Sequence, residues 1–194
     1  TCLESILNEN IPDRTFPETV NKTDFESVLV LAQNIADNHL RPYANELDIA
    51  SVPPYASVQM IAQSGLLGLT TPMKYGGLEA PGAVVRRYTE IMSGACGTTT
   101  FVQGQHLSAC TLIATGENET LKEQTLPSFA EGSRICGIAF AHVRKPGAPV
   151  LRATDQTDFY EFNGVASWFT GWGIMTDVLI AATLPNGNFV YGVI

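Results

Sequence analysis

At 194 residues with 45% hydrophobic side chains, the chain is long enough for one large domain or two small ones, each with a packed core. A formal net charge of −8 argues against a nucleic-acid or anionic-membrane surface. Cys2, Cys96, Cys110 and Cys136 are scattered without the paired spacing of a zinc site or a redox couple, which points to reduced thiols in a cytoplasmic protein.

The residues up to about Asn21 contain Pro12 and Pro17 and read as an arm. No basic-then-apolar leader opens it, and Thr1 in place of Met suggests that the first residues were removed or left out. The sequons at Asn21 and Asn118 are taken as chance matches. Thr23 and Glu26 have capping-box spacing, and Phe25, Val28, Leu29, Ala32, Ile35 and Ala36 recur at helical steps. Pro42 cannot donate a backbone hydrogen bond, so this helix should kink or end near Leu40. A second helix should follow Pro53-Pro54 and stop at Gly65. The stretch Gly65 to Pro81, rich in glycine and leucine, reads as a packed loop, and a third helix begins near Pro81.

Between Cys96 and Gly116 there is no Asp, Glu, Lys or Arg, which predicts a central helix buried on all sides. Gln103, Gln105 and His106 argue against a membrane span. Asn118 caps one more helix, which Pro127 should bend and Gly132 should end. From Ser133 the period changes. Short β-prone runs cover Arg134–Phe140, Val150–Thr154, Phe159–Phe162, Val165–Phe169, Val178–Thr183 and Phe189–Ile194. The expected architecture is an α+β multidomain chain: a helical bundle over 1–132, then a small antiparallel β-barrel over 133–194.

Asn163-Gly164 between two such runs predicts a type I′ hairpin turn. On the strand after it, Trp168 and Thr170 share a face while Phe169 takes the other. An indole beside a hydroxyl suits the face and edge of a flat heteroaromatic ring; a core Trp in a half-buried strand is the alternative.

Several stretches together resemble the flavin-dependent acyl-CoA dehydrogenases. They are Gly65 to Pro72 with Tyr75-Gly-Gly, the helix Gly104 to Gly116, the helix end at Gly132, and Asn163-Gly164 through Trp168-Phe-Thr170. The resemblance implies FAD as cofactor and an acyl-CoA thioester as substrate, in a homodimer or homotetramer, with no nucleic-acid or membrane partner. It places Trp168 and Thr170 against the flavin and runs Phe140, Ala141 and His142 past the pyrimidine side of the ring. Gln103 and Leu107 fall where the family lines its acyl pocket. Family members carry a further C-terminal helical domain that supplies the glutamate base, and these 194 residues have nothing in its place.

Ala141 to Pro149 departs from the family's serine-containing pyrophosphate turn. Arg144 and Lys145 there are either charge partners for a phosphate or part of a solvated turn. Glu79, Glu90 and Glu131 read as solvated carboxylates and His106 as a core histidine, which leaves the catalytic base unknown. Three functions remain open: an acyl-CoA dehydrogenase, a flavin monooxygenase of the same fold, and a binding or assembly protein derived from them.

Overall fold

The structure, a computed structural model, describes residues 24–194. The arm, Thr23, Cys2 and the sequon at Asn21 lie outside the described residues. Helix α1, Phe25–Ile35, is capped by Asp24, whose carboxylate accepts from the Glu26 N–H at 3.0 Å. It buries Val28, Ala32 and Ile35. The chain then relaxes into a π-helical turn at Ala36–Leu40 and a 3-10 turn at Arg41–Tyr43 before α2, Ala44–Ile49. That break falls at Pro42, whose missing N–H interrupts the ladder.

Helix α3, Tyr55–Gln63, follows Pro54, and Gly65 after it is left-handed. The loop beyond folds on itself, with Leu78 N–H donating to Gly68 O at 2.9 Å and Ala80 N–H to Leu69 O at 3.0 Å. Leu66, Leu67, Leu69 and Leu78 are buried there. Helices α4, Gly82–Ser93, and α5, Gly97–Thr115, complete the main core, in which Tyr88 and Met92 meet Leu40, Ile61 and Leu107. Helix α6, Glu119–Glu131, keeps Pro127 inside one continuous element and ends on a left-handed Gly132. Its cap, Asn118, accepts from Leu121 N–H at 2.9 Å.

Helix α5 is not buried all round. Val102, His106, Ala109, Cys110 and Ile113 face the core, yet Phe101 is 59% exposed and Leu112 is 42% exposed. An uncharged helix can therefore leave an apolar stripe open when that stripe has a use other than packing.

The second half is a five-stranded sheet: β1 Cys136–Ala139, β2 Leu151–Asp155, β3 Tyr160–Gly164, β4 Asp177–Thr183 and β5 Phe189–Val193. It is neither purely antiparallel nor closed into a barrel. Strands β1 and β4 pair in parallel, with Cys136 opposite Asp177, and β2 meets β4 in parallel at Arg152 and Thr183. The antiparallel pairs are β2 with β3 and β4 with β5. The hairpin also turns elsewhere. Asn163 and Gly164 belong to β3, opposite Arg152 and Leu151, and the reversal lies at Gln156–Phe159 with Thr157 at φ +76°. Gly164 has φ +135°, and a Cβ there would collide with the Val150 carbonyl, so the glycine serves a close strand approach. Residues 165–170 then leave the sheet as irregular chain.

Candidate functional site

Helix and sheet halves are joined by His106, which is fully buried on α5. Cys136 N–H, at the start of β1, donates to His106 Nδ1 at 3.0 Å. The remaining proton therefore sits on Nε2 and is donated to Phe129 O of α6 at 3.2 Å. Burial lowers the imidazole pKa to about 4, so the ring is neutral at physiological pH. At the next corner Arg134 grips Asp177, the first residue of β4, through both guanidinium and carboxylate edges.

These contacts bring α5, the β1 end and the irregular chain after β3 around one cleft of ≈ 400 Å³. Its walls are Phe101 and Gln105 from α5, Ile138 and Phe140 from the β1 end, Ala141 and Arg144 from the following 3-10 turn, and Trp168 with Thr170. Phe101 and Gln105 stand four residues apart on one helical face. Gln105 Nε2 donates back to Phe101 O at 3.2 Å, which leaves its amide oxygen available to a ligand. Trp168 and Thr170 do share a side, though not because they alternate on a strand. Phe169 turns inward against β1, where Gly137 has no Cβ to block it, and packs edge-on to Trp172 at 6.3 Å. Trp168 is 66% exposed, which removes the core-Trp reading, and its Nε1–H donates to Thr170 Oγ1 at 3.1 Å. With that oxygen accepting, the threonine hydroxyl proton remains free to donate elsewhere.

Of the residues expected at a flavin, Phe140, Ala141, Trp168 and Thr170 thus lie together. His142 does not join them. Its ring is buried on the other side of the turn, where Nε2–H donates to Ala181 O of β4 at 2.8 Å and Nδ1 has no partner. A second cavity of ≈ 300 Å³ borders it, lined also by Lys145, Thr183 and Phe189. Gln103 is 1% exposed and exchanges hydrogen bonds with the Tyr88 hydroxyl, at 2.6 Å from Nε2 and 2.9 Å from Oε1. Leu107 is buried in the main core. The side of α5 that meets the cleft is the Phe101–Gln105 side, and neither Gln103 nor Leu107 lines it. A single cue pointed to it: an aromatic residue and an amide four residues apart on a helix without charge.

Other candidate groups are engaged elsewhere. Glu79 accepts from Met73 N–H at 3.0 Å, Glu90 pairs with Arg87 at 3.1 Å, and Glu131 accepts from Ser133 at 3.5 Å. Cys96, Cys110 and Cys136 are buried free thiols. Among the described residues no group of His, Cys, Asp or Glu is arranged to hold a metal ion, and no helix is long and apolar enough to cross a membrane. The cleft can stack a flat ring, donate to its edge and meet a negative charge, and its lining carries no carboxylate among the described residues.

Comparison with known proteins bears on the family and the fold. Residues 23–133 match the family described as acyl-CoA dehydrogenase, N-terminal domain. The chain is 29% identical over 175 residues to the short-chain-specific acyl-CoA dehydrogenase of Clostridium acetobutylicum, covering 87% of this chain and 45% of that protein. It is 31% identical over 166 residues to the mitochondrial isovaleryl-CoA dehydrogenase of Bos taurus, covering 77% of this chain and 37% of that one. The chain thus spans less than half the length of these curated relatives. Among solved structures it resembles the FMN-bound dibenzothiophene monooxygenase TdsC from Paenibacillus sp. A11-2, with a TM-score of 0.73 at 25% identity over 86% of this chain and 43% of that chain. With more than half of its residues matched by the family model, the chain belongs to the acyl-CoA dehydrogenase family.

Proposed function

We propose that the cleft between α5, the β1 end and the Trp168 segment holds the ring of a flavin, FAD in the first instance. The protein to which these residues belong then catalyses α,β-dehydrogenation of an acyl-CoA thioester. The observation that carries this reading is the exposed pair Trp168 and Thr170, joined at 3.1 Å, on a cleft also walled by Phe101, Phe140 and Ala141. Exposed aromatic side chains converging on one cleft are unusual unless something flat covers them.

A bound flavin would supply the acceptor for the hydride leaving the β carbon. The chain's own residues do the holding. Trp168 offers its indole face, and its bond to Thr170 restrains the indole rotamer before any ligand arrives, which reduces the entropy lost on binding. Thr170 points its free hydroxyl proton toward the ring edge, where a donor tunes the ring's electronics. Phe101, Ile138 and Phe140 exclude water from the far side. Phe169, seated on Gly137, sets the direction of the whole segment. The carboxylate that removes the α proton is assigned to sequence beyond these residues, as is most of the acyl pocket. Cytoplasmic location and homo-oligomeric assembly belong to the same proposal.

A flavin monooxygenase is the second reading. It is favoured by the TdsC likeness and by a cleft lining without a carboxylate among the described residues, since activating oxygen on a reduced ring needs no carboxylate base. Anaerobic titration of the purified product of the complete gene with acyl-CoA thioesters of increasing length tests the choice. Bleaching of the flavin absorbance by an acyl-CoA supports the dehydrogenase. Inertness to every thioester, with oxygen uptake once the flavin is reduced externally, overturns it in favour of the monooxygenase.

A further inference from the structure

Arg144 is the one charged side chain on the cleft wall among the described residues, and it makes no hydrogen bond or ion pair there. Its neighbours in sequence are committed: the His142 ring to Ala181 O, and the Lys145 ammonium to Ser167 Oγ at 3.5 Å. The 3-10 turn Ala141–Arg144 therefore divides its functions. His142 pins it to β4, while Arg144 returns to the side of Ala141, Trp168 and Thr170. In a chain of net charge −8, an arginine free of carboxylate partners beside an aromatic shelf is a notable placement. The planar guanidinium suits an oxygen anion at the edge of a stacked ring, because its N–H donors lie in one plane and stay charged at every relevant pH.

The geometry points to Arg144 as a cofactor-specificity residue: the charge partner of an anionic oxygen on the flavin held in the cleft. This rests on the flavin reading above and adds to it. Two oxygens have the required chemistry. One is the phosphate of the flavin's ribityl chain, and the other is the pyrimidine-edge oxygen, which gains negative charge when the ring is reduced. A phosphate partner makes Arg144 a discriminator between phosphorylated flavins and riboflavin. A pyrimidine-edge partner makes it a regulator of the reduction potential.

The experiment compares the parent protein, expressed from its complete gene, with Arg144→Gln and Arg144→Lys, using riboflavin, FMN and FAD as probes at low ionic strength. Thermal unfolding of the apoproteins checks that the exposed substitution leaves the fold unchanged. With a phosphate partner, Arg144→Gln weakens FMN and FAD by about tenfold or more while riboflavin is unaffected, since hydrogen bonds to charged groups have that magnitude. Raising the salt concentration narrows the gap, and Arg144→Lys restores part of it. With a pyrimidine-edge partner, all three oxidised flavins bind Arg144→Gln as they bind the parent, but the midpoint potential of the bound flavin falls. Unchanged affinities together with an unchanged potential overturn the assignment. So does an equal loss for all three flavins, which would make Arg144 a packing contact to the ring. If the parent itself binds no flavin, the functional reading falls, and the Arg144 assignment falls with it.

Discussion

Thr170 shows how one side chain can hold two roles. Its oxygen accepts from the Trp168 indole at 3.1 Å, and its own proton remains for the ligand. Thr170→Val keeps the shape and removes both. The expected outcome is a shifted reduction potential of the bound flavin with only a few-fold change in affinity, of about 1 kcal/mol or less; potentiometric titration measures it, and an unchanged potential would detach Thr170 from the ring. His106 is the contrasting residue, buried and closed to ligand. Its pKa is lowered to about 4 by burial, so between pH 6.5 and that value the unfolded chain takes a proton that the folded one refuses. Stability is accordingly full above pH 6.5 and is lost as the pH falls toward 4. NMR of the imidazole should show the neutral Nε2–H form down to that region; a midpoint near the ordinary histidine value would contradict the buried staple.

Among the elements, the helices were legible because their cues are local. Asn118 caps, Pro42 interrupts, Gly65 and Gly132 stop, and apolar residues recur at three and four, while the first helix is capped by Asp24, one residue after the Thr23 that the capping-box spacing indicated. The sheet was less legible, because pairing partners distant in sequence decide it. Asn163-Gly164 has the composition of a tight turn, yet contact with Val150 consumes the glycine's freedom, and the true turn is marked only by Asp155 accepting from Thr157 N–H at 3.0 Å. The parallel pairing of β1 with β4 spans about forty residues of sequence and has no local signature. The cleft was half legible. Trp168 and Thr170 were found from alternation on a strand that does not exist, and they share a side because Phe169 is anchored on Gly137. Gly137→Ala tests that anchor. An added Cβ would stand 2.5 Å from Phe169 Cε2, so the ring must move and carry the segment with it. We expect a loss of about 1–3 kcal/mol of stability, as for overpacked cores, accompanied by weaker flavin binding; unaltered binding in a folded variant would show that Phe169 does not set the position of Trp168.

Two polar contacts tie the helical and β halves: His106 to Cys136, and Arg134, which reaches back to Gln124 O of α6 while holding Asp177 of β4. Asp177 is only 5% exposed, so removing its partner leaves a carboxylate with little besides the Thr176 hydroxyl at 2.7 Å. Arg134→Ala is expected to cost about 1–3 kcal/mol in chemical denaturation, the penalty of a buried polar group losing its partner and lessened here because the arginine is partly solvated. A cost near zero would mean that Asp177 is rehydrated in the variant. The central claim is that Trp168 faces a flavin, and its exposure makes the test direct. Trp168→Ala should leave the apoprotein's melting temperature nearly unchanged, because an exposed side chain contributes little packing. Added flavin should raise the melting temperature of the parent by mass action and raise that of Trp168→Ala clearly less, since stacking is worth roughly 0.5–1.5 kcal/mol beyond its area burial. Thermal unfolding of both proteins with and without FAD, and with FMN in parallel, is the decisive measurement: a smaller flavin-induced shift in the variant is the predicted result, and equal shifts would contradict the account.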